Sequence, residues 1–338
     1  MLPGIKKRSY SFSLLIYIFF CSSSIAQNTQ IRGFVDALTS YEKGKVSFGF
    51  GEQDLFITSE LSDRLSFLGE SVFKFTSSTP TEFSVSVERV VIKYNYQGNN
   101  NIIIGKIHTP LDYWNDTYHH GRVLFPTIER PILFSEGIIP LHTTGITFQG
   151  HDLGKIKFGY DVAVGNGLGS EDVMDNDKRK SFTAAMHIKP ADKLRIGISY
   201  YNDGIAKGST VHDRVINWNV SQNLFTGSAA YFGKKFEVLA EGTLCNNKTD
   251  TTGLTNSLAS YIYTGYKITE KIIPYMRLDN LNYDRREIYY NKNNITSIVV
   301  GMRYQINYLA VIKLEYQHQH AQTEGNTDKV TAQFAIGF

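Results

Sequence analysis

The chain has 338 residues, and its 35 basic and 32 acidic side chains give a formal net charge of +3 at neutral pH. Three of the basic residues stand at positions 6–8, ahead of an apolar run over 11–20 and a small-residue stretch that ends at Ala26. This order is typical of a secretory signal peptide, 1–26, cleaved after Ala26, because the apolar run is shorter than the ~20 residues of a membrane-spanning helix. The mature chain, 27–338, then has no net charge, which removes the electrostatic basis for nucleic-acid binding.

The residue composition of the mature chain suits a large antiparallel β protein. Cys245 is its only cysteine, so an intramolecular disulfide is excluded. Stability must therefore come from a large core or from a membrane. The chain has 21 Tyr and 21 Phe against 8 Pro, and its charged residues are spread evenly, as in chains made of many strands.

Apolar and polar residues alternate most cleanly over 330–338, and the pattern recurs over 296–305, with Val299 as an exception, and over 311–319. A period of two indicates strands with one apolar face. The second face carries charged residues, which a soluble β-sandwich explains less well than a water-filled lumen does. We therefore expect three charged side chains to face the lumen and solvate its wall: Arg303, Lys313 and Glu315.

Short and longer polar stretches alternate along the chain, as they do in outer-membrane barrels. Seven tight turns are expected at 61–64, 97–100, 151–154, 190–193, 233–235, 269–271 and 306–308. Eight longer stretches between them complete 16 strands and leave both chain ends in the periplasm. The sequence thus predicts an all-β fold in one domain, 27–338: a transmembrane antiparallel up-and-down β-barrel of about 16 strands with a long third outer loop.

The aromatic C-terminal residue, Phe338, closes the most regular of these strands. A terminal aromatic residue in this setting resembles the signal that bacterial assembly machinery reads in outer-membrane proteins. We therefore expect Phe338 to act as an assembly signal in the bacterial outer membrane.

Two polar segments could be taken for ligand sites. The glycines at 165, 167 and 169 do not have the spacing of a dinucleotide fingerprint, which also needs a following helix. The acidic side chains Glu171, Asp172, Asp175 and Asp177 lack the spacing of a calcium-binding EF-hand loop. A solvated outer loop accounts for both segments better, and no cofactor is expected.

The longest predicted connection, 108–142, joins the fifth and sixth strands. A barrel of this size leaves an aqueous channel, and rings of charged side chains set the selectivity of such channels. We expect this loop to fold inward as the pore constriction, with aromatic residues holding it to the wall and Pro110, Pro126 and Pro131 stiffening it. The expected constriction residues are Asp112, Asp116, His119, His120, Arg122, Glu129 and Arg130.

The same loop contains residue types that occur in metal and catalytic sites. His108, His119 and His120 are potential zinc ligands, but adjacent histidines point in different directions and do not converge on one ion. His142 with Ser135 has no nucleophile-elbow motif beside it. The sequence therefore favours a polar loop in a protein that is not an enzyme and holds no metal.

Segments 105–121, 126–131, 142–150 and 159–169 resemble porin-like outer-membrane barrels and, more distantly, the phosphate-selective porin superfamily. The resemblance implies a 16-stranded barrel, commonly a homotrimer, with the third loop folded inward. It also implies arginines at the constriction, a part that Arg122 and Arg130 match. The acidic residues of the same loop and the neutral mature chain do not support anion selectivity.

The expected function is passive diffusion of small hydrophilic solutes or ions across the outer membrane. Outer-membrane lipid, lipopolysaccharide and the assembly machinery are the expected partners. The alternative is a closed structural or docking barrel that serves a secretion or surface-assembly complex. Sequence alone leaves both open, because both need the same lipid-facing pattern.

Overall fold

The computed structural model describes residues 28–75, 83–118, 121–167, 178–211, 214–290 and 293–338. The predicted signal peptide, the acidic residues 171–177 and both His119 and His120 lie outside these ranges. Neither helix in the described ranges is long or apolar enough to cross a membrane.

Sixteen strands of the described chain form one closed barrel in which every neighbouring pair is antiparallel. They are β1 Asn28–Glu42, β2 Lys45–Glu60, β3 Leu65–Phe75, β4 Phe83–Gln97, β5 Asn100–His108, β6 His142–Leu153, β7 Phe158–Gly165, β8 Ser181–Ala191, β9 Leu194–Ile205, β12 Val220–Phe232, β13 Phe236–Thr249, β14 Gly253–Tyr266, β15 Ile272–Asn282, β16 Ile295–Asn307, β17 Ala310–Ala321 and β18 Gly325–Gly337. A separate hairpin pairs β10 Thr210–Val211 with β11 Arg214–Val215, and two short helices are α1 Tyr113–Thr117 and α2 Ile132–Ser135. The predicted fold class and strand number are confirmed.

The first and last strands close the barrel by pairing with each other. Phe34 lies opposite Gly337 and Glu42 opposite Lys329, so the two strands pair along most of their length. The backbone of Gly33 exchanges hydrogen bonds of 2.9 Å in both directions with that of Phe338. The C-terminal residue therefore takes part in closure itself, and its ring stays more than half exposed.

The two faces of the strands differ as the alternation predicts. On β16, Ile298, Val300 and Met302 are 42%, 49% and 48% exposed, whereas Ser297 and Val299 are buried. The outward residues form the apolar belt that a membrane requires. Val299 is no exception to the pattern, because it faces inward and joins an apolar cluster inside the barrel.

Several stretches predicted as longer outer loops are short turns, and this part of the prediction is wrong. β1 and β2 are joined by residues 43–44 alone, β13 and β14 by 250–252, and β17 and β18 by 322–324. Lys43 and Gly44 both have positive φ, as a two-residue hairpin turn requires. The flanking polar residues continue the strand pairing instead of forming loops, so polar composition overestimated loop length.

The lipid-facing belt gives a first prediction. Val300→Arg places a charge on the outward face and should destabilise the folded barrel by about 2–4 kcal/mol if the site lies near the bilayer midplane. Urea titration of folding into phospholipid vesicles measures the free energy of unfolding. Thr251→Arg, in the turn between β13 and β14, is the control and should change it by less than ~0.5 kcal/mol. Equal effects of the two substitutions would contradict the assignment of the outward face.

Candidate functional site

The connection between β5 and β6 spans residues 109–141, and its described parts, 109–118 and 121–141, lie inside the barrel. We call it the inner segment. Near its start, the backbone N–H of Trp114 donates to Glu241 on β13 over 3.0 Å. Further along, the N–H of Gly121 donates to Asp54 on β2 over 3.3 Å. The inner segment thus crosses the lumen between distant parts of the wall.

The first anchor of the inner segment is the carboxylate of Glu241, which caps α1. It accepts hydrogen bonds from the backbone N–H groups of Tyr113 and Trp114 and from the hydroxyl of Tyr261. The first N–H groups of a helix have no partner within it, so a buried carboxylate from the wall satisfies them. The strand wall therefore fixes both the position and the direction of α1.

Asp112, predicted as a constriction charge, instead lies buried beside this cap. It is 7% exposed, accepts a 3.2 Å hydrogen bond from the Thr243 hydroxyl, and has a positive φ of 61°. Burial, and then the negative charge of Glu241, raise the pKa of Asp112 well above its usual range. Its burial and its hydrogen bond to Thr243 make Asp112 an anchor of the inner segment.

The second anchor of the inner segment involves two residues that were predicted to solvate the lumen wall. The structure shows them buried instead. Lys313 and Glu315 face inward as predicted, but they are 0% and 6% exposed. The Lys313 ammonium donates to the carbonyls of Arg122 over 2.6 Å and Thr127 over 3.1 Å. Glu315 accepts from the N–H of Ile128 over 2.6 Å. The inner segment covers both side chains, so they bind its backbone and not water.

Two arginines complete this anchor. Arg303, the third predicted wall residue, is 8% exposed and makes a two-pronged ion pair with Glu237, with N–O distances of 2.9 and 2.8 Å. Arg277 pairs with Asp279 over 2.8 Å and donates to the carbonyl of Glu129 over 2.7 Å. Each buried guanidinium has both a carboxylate and backbone acceptors, which offsets the cost of removing its charge from water.

Apolar packing also holds the inner segment in the lumen. Trp114 and Phe125 lie edge to face, with ring centroids 5.3 Å apart, and Tyr113 stacks on Phe232 of β12. Tyr118 also contacts Phe232. The predicted aromatic attachment to the wall is present in the structure. Further buried apolar residues join the same cluster: Leu111, Ile132, Leu133, Phe134, Ile138 and Ile139.

Charged residues of the inner segment meet in a cavity of about 360 Å³. Arg122 lies 3.4 Å from Glu129, 3.5 Å from Glu52 and 3.7 Å from Asp36. Burial lowers the pKa of Arg122, but the three carboxylates raise it by more, and the guanidinium stays charged. The cavity is lined by Glu52, Arg122, Glu129, Arg130, Glu136, Arg277, Gln317 and Gln319, among others.

The predicted constriction residues therefore separate into groups. Arg122, Glu129 and Arg130 share the cavity, while Asp116 pairs with Arg195 over 2.7 Å elsewhere in the lumen. His119 and His120 lie outside the described residues. Sequence reasoning missed an inward acidic wall on β1–β4, made of Asp36, Asp54, Glu70 and Glu88. The period-two pattern was the available signal, but bulges in these strands interrupt it.

Around the ends of the inner segment, the rings of His108 and His142 have centroids 5.5 Å apart, and His142 Nε2 lies 3.2 Å from Glu88. Within the described ranges, no three His, Cys, Asp or Glu side chains are arranged to hold a metal ion. The Ser135 hydroxyl donates to the carbonyl of Ile132 over 3.4 Å, within its own short helix.

Solved structures of similar fold are bacterial outer-membrane porins and channels. The anion-selective porin from Comamonas acidovorans superposes with a TM-score of 0.68 at 11% identity, over 92% of this chain and 100% of that one. The outer membrane channel DcaP of Acinetobacter baumannii gives 0.64 at 13% identity, over 94% and 99%. OmpF of Salmonella typhi, solved with daunomycin, gives 0.65 at 9% identity, over 92% and 97%.

No family model and no curated protein matches the sequence. The structural likeness therefore defines the class of fold, a 16-stranded porin-like barrel, and confirms the distant porin resemblance at that level. The apolar outward face of this fold agrees with the predicted location in the bacterial outer membrane.

The buried arginine anchor gives a second prediction. Arg277→Ala leaves Asp279 buried without its ion pair and removes donors to the inner segment, so it should cost about 3–5 kcal/mol. Urea-induced unfolding in detergent measures this loss, and protease cleavage within 122–132 should become faster. The control is Arg286→Ala, which breaks an exposed pair with Asp284 and should cost less than ~1 kcal/mol. Equal stability of both variants would show that Arg277 does not anchor the segment.

The buried carboxyl gives a third prediction, on pH dependence. Because the folded pKa of Asp112 is raised, its contribution favours the folded state below the unfolded pKa of ~4 and is lost as pH rises through the folded value. Asp112→Asn should therefore be more stable than the parent at pH 8, with the difference shrinking towards pH 4. Unfolding midpoints at the two pH values test this. Asp116→Asn, at an exposed carboxyl, serves as the control. A stability difference between the parent and Asp112→Asn that is the same at pH 4 and pH 8 would contradict the prediction.

Proposed function

We propose that this protein is an outer-membrane porin-like channel for passive diffusion of small hydrophilic solutes or ions, with the inner segment as its constriction. The observation that carries the proposal is the position of Arg122, Glu129 and Arg130. They enter a water-accessible cavity within a closed 16-stranded barrel. A connection anchored in this way narrows the lumen permanently and places fixed charges where a solute has to pass.

The charges at the cavity are of both signs. Glu52, Glu129 and Glu136 face Arg122, Arg130 and Arg277. A balanced lining attracts neither cations nor anions strongly, so we expect weak ion selectivity and a cutoff set by size. The neutral mature chain agrees with this expectation. Asp112, Arg303, Lys313 and Glu315 contribute by anchoring the inner segment and not by meeting the solute.

Export and assembly complete the proposal. Residues 1–26 would direct export, and Phe338 would serve as the assembly signal from the closing strand. Outer-membrane lipid and lipopolysaccharide would surround the apolar belt, and a homotrimer follows from the porin resemblance. The proposal assigns no catalytic reaction, metal or cofactor to the chain.

A docking barrel is the second candidate, and one observation favours it. Carboxylates of the β1–β4 wall are almost fully buried, with Asp54 and Glu70 both 1% exposed. Many apolar residues of the inner segment are buried in the lumen as well. A lumen filled to this degree suits a scaffold that no solute crosses. Electrical measurement separates the two functions, because a scaffold gives no current.

The decisive experiment is reconstitution of pure, folded protein in a planar bilayer. We expect discrete conductance steps, and folded protein without any steps would sink the channel proposal while leaving the barrel intact. Glu129→Gln and Arg130→Gln then test the constriction as a matched pair of opposite charge. One charge ~6 Å from the path of an ion in water is worth about 0.7 kcal/mol, so each variant should change the permeability ratio by a factor of about two to three, in opposite directions.

Lys234→Gln, in the turn between β12 and β13, is the control for this pair and should leave the reversal potential unchanged. Shifts of the same sign in both variants would place the ion path away from residues 129 and 130.

A further inference from the structure

Part of the connection between β15 and β16 also enters the barrel, although its sequence is as polar as an ordinary outer loop. Its described parts are 283–290 and 293–294, and the first contains Glu287, which is 0% exposed. The Glu287 carboxylate accepts hydrogen bonds from the amide of Asn247 on β13 over 3.1 Å and the hydroxyl of Thr255 on β14 over 2.7 Å. It also accepts from the N–H of Tyr289 over 2.6 Å. Three donors offset the desolvation of this charge.

The wall residues that receive Glu287 face the lumen. Asn247 and Thr255 are 0% and 1% exposed, whereas Leu244 and Leu254, at odd spacings from them on the same two strands, are 42% and 51% exposed. Since successive strand residues point to opposite faces, Glu287 must lie on the inner side of the sheet.

Two tyrosines follow Glu287 into the same space. Tyr289 and Tyr290 are 6% and 7% exposed, and their ring centroids are 4.8 Å apart. The Tyr290 hydroxyl accepts a 2.8 Å hydrogen bond from Gln222 on β12, and the guanidinium of Arg214 lies over the Tyr289 ring at 5.8 Å. Both rings belong to the apolar cluster that contains Trp114 and Phe134 of the inner segment.

We propose that residues 283–290 form a second constriction element, which sets the pore cross-section together with the inner segment. Residues 283–290 fill the lumen beside β12, β13 and β14. Solutes are thereby confined to the side where Glu52, Arg122, Glu129 and Arg130 line the cavity. This inference rests on the proposed channel function and names Tyr289 and Tyr290 as size-determining residues.

The test replaces the two rings together. Tyr289→Ala/Tyr290→Ala should raise single-channel conductance by a factor of about two and admit larger sugars in liposome-swelling assays, because the filled side of the lumen opens to water. The matched control is Tyr308→Ala, which removes a ring that is 80% exposed in the turn between β16 and β17. A heat-dependent shift in gel mobility verifies that each variant is folded.

Cys245 supplies a second readout that does not depend on current. It is 0% exposed, faces inward on β13, and belongs to the same cluster as Tyr289 and Tyr290. A charged methanethiosulfonate reagent should leave it unmodified in the parent and in Tyr308→Ala, and should modify it in the double variant. Glu287→Gln, which keeps the side-chain volume but loses the charge, should show partial modification and covers the case of a double variant that does not fold.

The outcomes separate the two proposals. A parent that conducts, with a folded double variant of unchanged conductance and unreactive Cys245, overturns the second constriction element alone. A parent that gives no current overturns the channel function and the constriction role with it. In that case, modification of Cys245 in the double variant still tests whether 283–290 fills the lumen.

Discussion

Backbone hydrogen bonding in a solvent without water is the constraint on which this molecule depends. A strand that faces lipid must pair on both edges, because an unpaired N–H or C=O has no substitute partner there. The sheet must therefore close, and β1 pairs with β18 from Phe34 to Glu42 to close it. Mutual hydrogen bonds between Gly33 and Phe338 extend this closure to the last residue. The enclosed lumen follows from closure, and the apolar belt follows from contact with the same lipid.

Closure at 16 strands creates a second problem, which the inner segment solves. Side chains from the wall alone do not fill a barrel of this width. The inner segment brings its own apolar residues, and they make a core in a space that would otherwise hold water. Its backbone polar groups then need partners, and Glu241, Arg277 and Lys313 supply them from the wall. The inner segment and the charged wall thus stabilise each other.

How far the sequence predicts this structure depends on the range of the interactions. The strand faces could be predicted because lipid on one side of the sheet imposes a period of two on neighbouring residues. The number of strands could be predicted because a polar stretch marks each reversal of the chain. Loop lengths could not be predicted, because polar residues such as Glu42 and Lys45 pair across a turn as readily as they form a loop. The partners of Lys313 were also out of reach. Alternation shows that this side chain points inward, but its acceptors are residues about 190 positions earlier in the chain.

Contacts between residues that are distant in the sequence also decide which charges of the inner segment lie at the cavity. Asp112 and Glu129 look equivalent in the sequence, yet Asp112 is buried beside Glu241, whereas the Glu129 side chain is 42% exposed. Charges that hold the segment in place are covered by the contacts they make. In the proposed channel, only the charges left at the cavity act on a solute. A covered charge is either paired, as Arg303 is with Glu237, or has a raised pKa that favours its neutral form, as Asp112 has. In the proposed channel, selectivity is therefore set by the charges that anchoring leaves uncovered, and those lining the cavity near Arg122 are close to balanced in sign.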